Sequence, residues 1–257
     1  LRAALHQSRR VGKHIVTTAV EHSAVLQCVR QLEREGCSAT YVKPDGEGRI
    51  TARAVLSAVR EDTALVSVML VNNETGAVFP VEEIAAGLRD HPALLHTDAV
   101  QGFLKIPFTA KGLGADYITL SAHKVGGPKG IGALYAGGRA KNVLPLLFGG
   151  GQEGGLRPGT EATAQIAGFA RAAELRLERR EEIAARLAAC RDYARERLGA
   201  IPDLRFVGPG DAPHILSVSL PGYPSQNIVS ELDGKGIYIS AGSACHRGKA
   251  SHVLTAM

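Results

Sequence analysis

The sequence predicts an α/β protein: a large domain with a mostly parallel sheet flanked by helices, then a smaller C-terminal α+β domain. Through the first half of the chain, short β-branched runs alternate with amphipathic helical segments, as in consecutive βαβ units. The run ALVSVMLV at 64–71 is almost wholly apolar, which is typical of a strand buried on both faces. After residue 160 the pattern changes to a long helix and short strands, so we predict domains at 1–175 and 176–257.

The elements of the large domain follow from hydrophobic period and flanking turn residues. The segment 14–36 predicts a strand, a loop and a helix that ends at Gly36, a residue type favoured just beyond a helix. Thr51 is a suitable N-cap for the next helix. The other predicted strands are SATYVK, ALLHTDAVQG, ADYITL and IGALYA, and the other predicted helices are TARAVLSAVR and VEEIAAGLRD.

The C-terminal part begins with a stretch at 161–199 that is rich in Ala, Leu, Glu and Arg and is predicted to be helical, with possible breaks. Two short strands (LRFVG and HILSVSL), a helix (SQNIVSELDGKG) and a strand (IYIS, 237–240) are predicted to follow it. This order of elements predicts the small α+β domain.

Composition narrows the class of protein. The net charge of the 257 residues is +5, and arginines alternate with glutamates at 175–187, which indicates a solvated helix face rather than a nucleic-acid surface. We find neither a membrane-spanning apolar run nor a signal-peptide core, so we expect a cytoplasmic protein. The four cysteines have neither CxxC nor metal-ligand spacing, so we expect free thiols and no metal.

Polar clusters follow four of the predicted strands. They are EHS after the first strand, NNETG after the third, DAVQ after the fourth and SAHK after the fifth. Ligands of open parallel sheets bind at the carboxyl ends of the strands. The sequence therefore predicts a ligand site at this edge.

The stretch SAHKVGGPKG at 121–130 places Lys124 just past a strand end, among small residues. Because small residues surround this lysine, we expect it to be shielded from bulk water. Desolvation lowers the pKa of a lysine and favours the neutral, nucleophilic amine that forms a Schiff base. The alternative is a surface lysine in a Gly-Pro turn, and this stretch alone does not decide between the two.

Together, these residues match the needs of a pyridoxal phosphate enzyme. Such an enzyme needs an amine, an acid facing the pyridinium nitrogen, a partner for the ring hydroxyl, donors for the phosphate and a flat group over the ring. The residues available for these roles are, in order, Lys124, Asp98, Gln101 or Asn73, Ser121 with His123, and His22. Taken singly, each has an ordinary alternative, such as a cap, a loop histidine or a turn residue.

Six stretches, in collinear order, resemble the cysteine desulfurases and selenocysteine lyases of the class V aminotransferase branch. They are TTAVEHSAV, LVNNETGAVFPVEEIA, LHTDAVQGFLKIPF, DYITLSAHKVGGPKGIGALY, FGGGQEGGLRPGTEATAQIAGF and ISAGSACHRG. The resemblance implies a PLP-dependent transferase of fold type I. The family's first strand and phosphate loop would precede Leu1, and its substrate arginine would follow Met257, so we expect the chain to be a fragment.

The resemblance implies a role for each matching residue. Lys124 would form the Schiff base with pyridoxal 5'-phosphate, and His22 would stack on the ring and take part in proton transfer. The other implied cofactor-binding residues are Asp98 at the ring nitrogen, Gln101 at the ring hydroxyl, Asn73, and Ser121 with His123 at the phosphate. Thr160 would reach the phosphate of a second subunit, which implies a homodimer. Cys245 would accept the sulfur. The next residue, His246, departs from the Thr or Ser that many family members carry, and an imidazolium next to the thiol would favour the thiolate.

The implied reaction converts L-cysteine to L-alanine and leaves a persulfide on Cys245. The sulfur would pass to an acceptor such as an iron–sulfur scaffold or a tRNA-thiolation factor. Two alternatives stay open at this point. One is a selenocysteine lyase or a class V aminotransferase without sulfur transfer, and the other is a non-catalytic, truncated partner in a sulfur relay.

Overall fold

The computed structural model describes residues 1–140, 143–242 and 251–257. Its main feature is a six-stranded sheet with the order β2-β1-β3-β4-β5-β6. The strands are β1 (His14–Thr18), β2 (Ser38–Val42), β3 (Thr63–Ser67), β4 (Leu94–Asp98), β5 (Tyr117–Ser121) and β6 (Gly132–Ala136). All pairings are parallel except that of β5 with β6. The predicted mostly parallel sheet is therefore confirmed.

Nine α-helices lie in the described part of the chain, beside two short 3-10 helices at Ala122–Val125 and Gln152–Gly155. The α-helices are α1 (Arg2–Gln7), α2 (Ser23–Arg34), α3 (Ala52–Ser57), α4 (Val81–Gly87), α5 (Ala110–Leu113), α6 (Thr163–Glu178), α7 (Arg180–Gly199), α8 (Ser225–Asp233) and α9 (His252–Ala256). A short antiparallel pair, β7 (Arg205–Phe206) with β8 (Val218–Ser219), lies between α7 and α8. No helix among these is long and apolar enough to cross a membrane.

Both faces of the sheet are covered by apolar layers. Leu65 and Val66 are neighbours in β3, and their side chains point to opposite faces because strand residues alternate. Leu65 belongs to a cluster that includes Val29 of α2, and Val66 belongs to a cluster that includes Ile84 of α4. Burial on both faces explains why β3 consists of buried residues throughout.

Several predicted boundaries are wrong, each for a local reason. β3 ends at Ser67 rather than residue 71, although Val68 N and Leu70 N still donate to carbonyls of His96 and Asp98. The segment 237–240 is not a strand, because an apolar run needs a hydrogen-bonded neighbour to become one. The helical stretch divides at Arg179, whose φ of −110° departs from helical geometry.

Two helix ends test the capping predictions. Thr51 is the N-cap of α3, where its side chain accepts a hydrogen bond from Ala54 N, so this prediction is confirmed. α2 ends at Arg34 rather than at Gly36. Gly36 lies just beyond it with φ of +93°, a left-handed conformation that glycine adopts without steric cost.

Asp116 and Arg139 join three strands at the amino edge of the parallel sheet. Asp116 is 4% exposed and accepts from Leu95 N at 2.8 Å and from Arg139 Nη2 at 2.7 Å. Arg139 also donates to the carbonyls of His91 and Ala93. The pair therefore ties the starts of β4 and β5 to the chain that follows β6.

We expect Arg139→Ala to lower the free energy of unfolding by about 3 kcal/mol, because it leaves the Asp116 carboxylate buried and unpaired. The matched control is Arg171→Ala, which removes an exposed ion pair with Glu174 and should cost less than about 1 kcal/mol. Urea denaturation of both variants measures the difference. Equal losses would contradict a special role for the Asp116 pair.

Candidate active site

The four polar loops predicted from the sequence lie next to one another. They follow β1, β3, β4 and β5, which are consecutive neighbours in the sheet. Since these strands are parallel, their carboxyl ends share one edge. The structure therefore brings together residues that are up to about 100 positions apart in sequence.

Asp98 is the last residue of β4 and is 9% exposed. Within the described residues its side chain accepts one hydrogen bond, from Val100 N to Oδ1 at 3.0 Å. Burial raises the pKa of Asp98, while this hydrogen bond and the nearby His22 act in the opposite direction. Asp98 thus begins a turn rather than a helix, and its second oxygen remains available to a ligand.

His22 is half-buried and forms the N-cap of α2, where Nδ1 accepts from Ala24 N at 3.2 Å. With Nδ1 acting as acceptor, the proton of the neutral ring is on Nε2. His22 can therefore cap α2 and also take part in catalysis, because the cap holds its ring near Asp98.

The turn after β5 contains the predicted amine. Ser121 Oγ lies 2.7 Å from His123 Nδ1. Partial burial, followed by the charges of Lys124 and Lys105, lowers the pKa of His123. The expectation that Lys124 is shielded from water is wrong, since its side chain is exposed. The small residues around it, such as Gly126, have no side chains with which to cover it.

Asn72 and Asn73, a pair of adjacent amides, have separate roles in the loop after β3. Asn72 is buried, donates to Val20 O at 2.9 Å and accepts from Thr75 N at 2.9 Å, so it holds the loop in place. Asn73 is half-buried, and no hydrogen bond of its side chain falls within the described residues. Asn73 is therefore the amide that can turn to a ligand.

Gln101 has two polar neighbours, Lys105 and His214. The sequence analysis did not identify Lys105 as a site residue. Gln101 Oε1 accepts from Lys105 Nζ at 2.7 Å and lies 3.4 Å from His214 Nε2. Lys105 is 7% exposed. Burial and then the charges of Lys124 and Arg176 lower its pKa to about 8. The available signal was its position four residues after Gln101, inside the apolar segment GFLKIPF.

Glu21 was also missed, although it directly precedes His22. It is fully buried, and its Oε1 accepts from Thr18 Oγ1 at 2.8 Å and from Met69 N at 2.9 Å. Oε2 has no hydrogen-bond partner within the described residues. Burial, with a smaller contribution from the charge of Asp98, raises the pKa of Glu21 to about 8. Glu21 is therefore protonated at neutral pH.

We expect Glu21→Gln to weaken the pH dependence of stability. The pKa of Glu21 is raised in the folded state, so its contribution to stability is complete near pH 4 and declines as pH rises to about 8. The slope is on the order of 1 kcal/mol per pH unit. Urea unfolding between pH 5 and pH 8 measures this slope, and the control is Glu83→Gln at an exposed position. An unchanged slope in Glu21→Gln would contradict the shift.

The C-terminal helix docks on the same edge of the sheet. Ser251 Oγ donates to Glu74 Oε2, and His252 Nε2 lies 2.9 Å from the carbonyl of Glu21. Val253 is 1% exposed. Cys245 and His246 lie outside the described residues. Thr160 is exposed, and none of the described contacts joins it to the other site residues.

A family profile described as "Aminotransferase class-V" matches residues 1–257. A putative cysteine desulfurase IscS 1 from Bacillus subtilis (strain 168) is 41% identical over 252 residues, covering 96% of this chain and 66% of the relative. A cysteine desulfurase from Trichormus azollae is 41% identical over 262 residues, covering 100% of this chain and 65% of the relative. The chain thus spans 65–66% of the length of these two relatives.

Solved structures show the same fold. A NifS-like protein superposes with a TM-score of 0.90 at 36% identity, covering 99% of this chain and 68% of the other. SspA in complex with cysteine superposes with a TM-score of 0.79 at 32% identity, covering 98% of this chain and 71% of the other.

Proposed function

Because the chain belongs to the class-V aminotransferase family, we propose that it is a cysteine desulfurase that depends on pyridoxal 5'-phosphate. The observation that supports this most is the meeting of four polar strand ends at one edge of the sheet. Two relatives named as cysteine desulfurases and the cysteine complex of a protein of the same fold favour L-cysteine as substrate.

The residues at this edge fit pyridoxal phosphate. Among the described residues Asp98 accepts a single hydrogen bond, so its other oxygen can accept from a protonated ring nitrogen. Ser121 and His123 offer a hydroxyl and an imidazole to a phosphate. His22 supplies a flat ring, and the exposed amine of Lys124 is accessible to an aldehyde.

The proposed reaction moves sulfur from L-cysteine to Cys245. When bound, the cofactor supplies an electron sink for the pair released at the substrate α-carbon. The Cys245 thiolate attacks the substrate sulfur, a sulfur–sulfur bond forms, and the carbon–sulfur bond breaks. The electron pair and a proton go to the carbon skeleton, which leaves as alanine, and Cys245 holds a persulfide.

We assign proton transfer and charge stabilisation to three different side chains of this chain. Nδ1 of His22 is occupied by Ala24 N, so we assign proton transfer to Nε2. Asp98 provides a fixed negative charge in a largely buried position, where a charge acts strongly on its neighbours. Glu21, which is neutral at pH 7 because burial raises its pKa to about 8, avoids a second negative charge beside Asp98.

We also propose a homodimer in which Thr160 completes the phosphate site of the partner. The segment before it exposes apolar side chains, with Leu146 at 69%, Leu147 at 61% and Phe148 at 89%. An apolar patch of this kind favours burial against another protein surface. The persulfide sulfur would pass to an acceptor such as an iron–sulfur scaffold or a tRNA-thiolation factor. The division into 1–175 and 176–257 stays a prediction, and its boundary falls within α6.

Cofactor attachment is the direct test of this function. Borohydride treatment of the protein loaded with pyridoxal phosphate, followed by peptide mapping, should place the pyridoxyl label on Lys124, because its amine is exposed beside Ser121 and His123. The matched control is Lys129→Arg, which changes an exposed lysine of the same loop and should leave labelling unchanged. Label on Lys105 or Lys129 would contradict the assignment. A protein that takes no label would favour a non-catalytic role in sulfur relay.

A further inference from the structure

Lys105 is buried in surroundings that disfavour a cation. No carboxylate within the described residues lies at ion-pair distance from it. The charged groups that face it are Lys124 and Arg176. Burial is the main cause of the lowered pKa of His123 and of His214, and the positive charge of Lys105 lowers both further. Buried lysines are rare unless paired. A specific interaction must therefore offset this arrangement.

The backbone before Lys105 is held in an uncommon conformation. Leu104 has φ of 55°, which is sterically unfavourable for a residue with a branched side chain. Its carbonyl accepts from Arg176 Nε of α6 at 3.3 Å. Conformations of this kind persist only where their surroundings hold them, and they cluster at functional sites. Here the turn places Lys105 Nζ 2.7 Å from Gln101 Oε1.

The ammonium group determines which end of the Gln101 amide faces the ligand. An ammonium has three donors and no acceptor, so Lys105 can bond only to the carbonyl oxygen of Gln101. His214 Nε2, at 3.4 Å, approaches the same oxygen. The amide NH2 is consequently the end that remains for a ligand.

We propose that Lys105 is a positioning residue that holds Gln101 as a hydrogen-bond donor, so that the site selects a ligand with an acceptor oxygen at this point. The identity of the ligand rests on the proposed function: for pyridoxal phosphate, the acceptor is the ring oxygen in its deprotonated form. Without the ammonium, the Gln101 amide can rotate and present its carbonyl, which repels such an oxygen.

The first test concerns the Gln101 amide in the cofactor-free full chain. The side-chain NH2 resonance of Gln101, assigned by its loss in Gln101→Glu, should shift and broaden in Lys105→Met. Methionine keeps much of the volume of the lysine stem without its charge, and Lys105→Arg should restore the resonance because arginine also only donates. The control is Lys111→Met at an exposed position. A resonance that Lys105→Met leaves unchanged would overturn the proposal.

The second test compares the affinities for pyridoxal 5'-phosphate and for 3-deoxypyridoxal 5'-phosphate, which lacks the ring oxygen. The unsubstituted chain should prefer the natural cofactor by roughly tenfold, the worth of one hydrogen bond to a charged group. Lys105→Met should lose this preference and Lys105→Arg should regain it. Binding of both compounds with an undiminished preference in Lys105→Met would overturn the inference and leave the proposed function intact. Failure of the unsubstituted chain to bind either compound would overturn both.

Discussion

Replacing Cys245 with serine should abolish the release of alanine from L-cysteine while pyridoxal phosphate remains bound. A hydroxyl cannot take up the substrate sulfur, so the expected loss of turnover is at least about 10³-fold, as for removal of an enzymatic nucleophile. The matched control is Cys190→Ser, which changes an exposed free cysteine of α7 and should leave turnover unchanged. Alanine assays and visible absorbance give the two readouts.

The docking of α9 supports this expectation. Ser251 and His252 contact the loops that hold Glu74 and Glu21, and Cys245 precedes Ser251 by six positions (251 − 245). The helix that follows Cys245 in the sequence is therefore held at this edge of the sheet. Undiminished alanine production by Cys245→Ser would remove the desulfurase assignment. Activity retained on selenocysteine alone would favour a selenocysteine lyase.

Asp98→Asn should lower cysteine turnover by roughly 10²-fold or more, the size of effect seen when one preorganised polar group is lost. Asparagine keeps the volume, and its amide oxygen can still accept from Val100 N, so the turn and the cofactor's covalent attachment should survive. The substitution removes the negative charge that we propose faces the ring nitrogen. Turnover and cofactor absorbance, measured together, separate the two effects.

The control for this substitution is Asp90→Asn, at an exposed position, which should have no effect on turnover. Activity of Asp98→Asn close to that of the unsubstituted chain would show that Asp98 only begins the turn after β4.

The location of the site was predictable because it depends on local patterns. Strand ends that carry EHS, NNETG, DAVQ and SAHK are visible in the sequence, and parallel strands place such ends on one edge. The order of the strands is set by packing between distant segments, and the sequence does not show that these four strands are neighbours.

The residues that were missed owe their roles to burial and to contacts that form only in the fold. The polar contacts of Glu21 include Met69 N, 48 positions away, and Lys105 gains its significance from burial and from Gln101. Neither the Met69 partner of Glu21 nor the burial of Lys105 can be identified from residue type and spacing alone. The exposure of Lys124 was wrongly predicted because its small neighbours indicate only a tight turn. They do not show whether any other part of the chain covers the lysine.

The contact between His252 and the Glu21 carbonyl has a consequence for the order of events during synthesis. The two residues are 231 positions apart, and ribosomes add about 5–20 residues per second. The loop at Glu21 therefore leaves the ribosome roughly 10 to 50 s before the helix that packs on it. During that interval the Glu21 carbonyl lacks its contact with His252. We therefore expect the loop at Glu21 to reach its final conformation in nascent chains only once α9 has emerged.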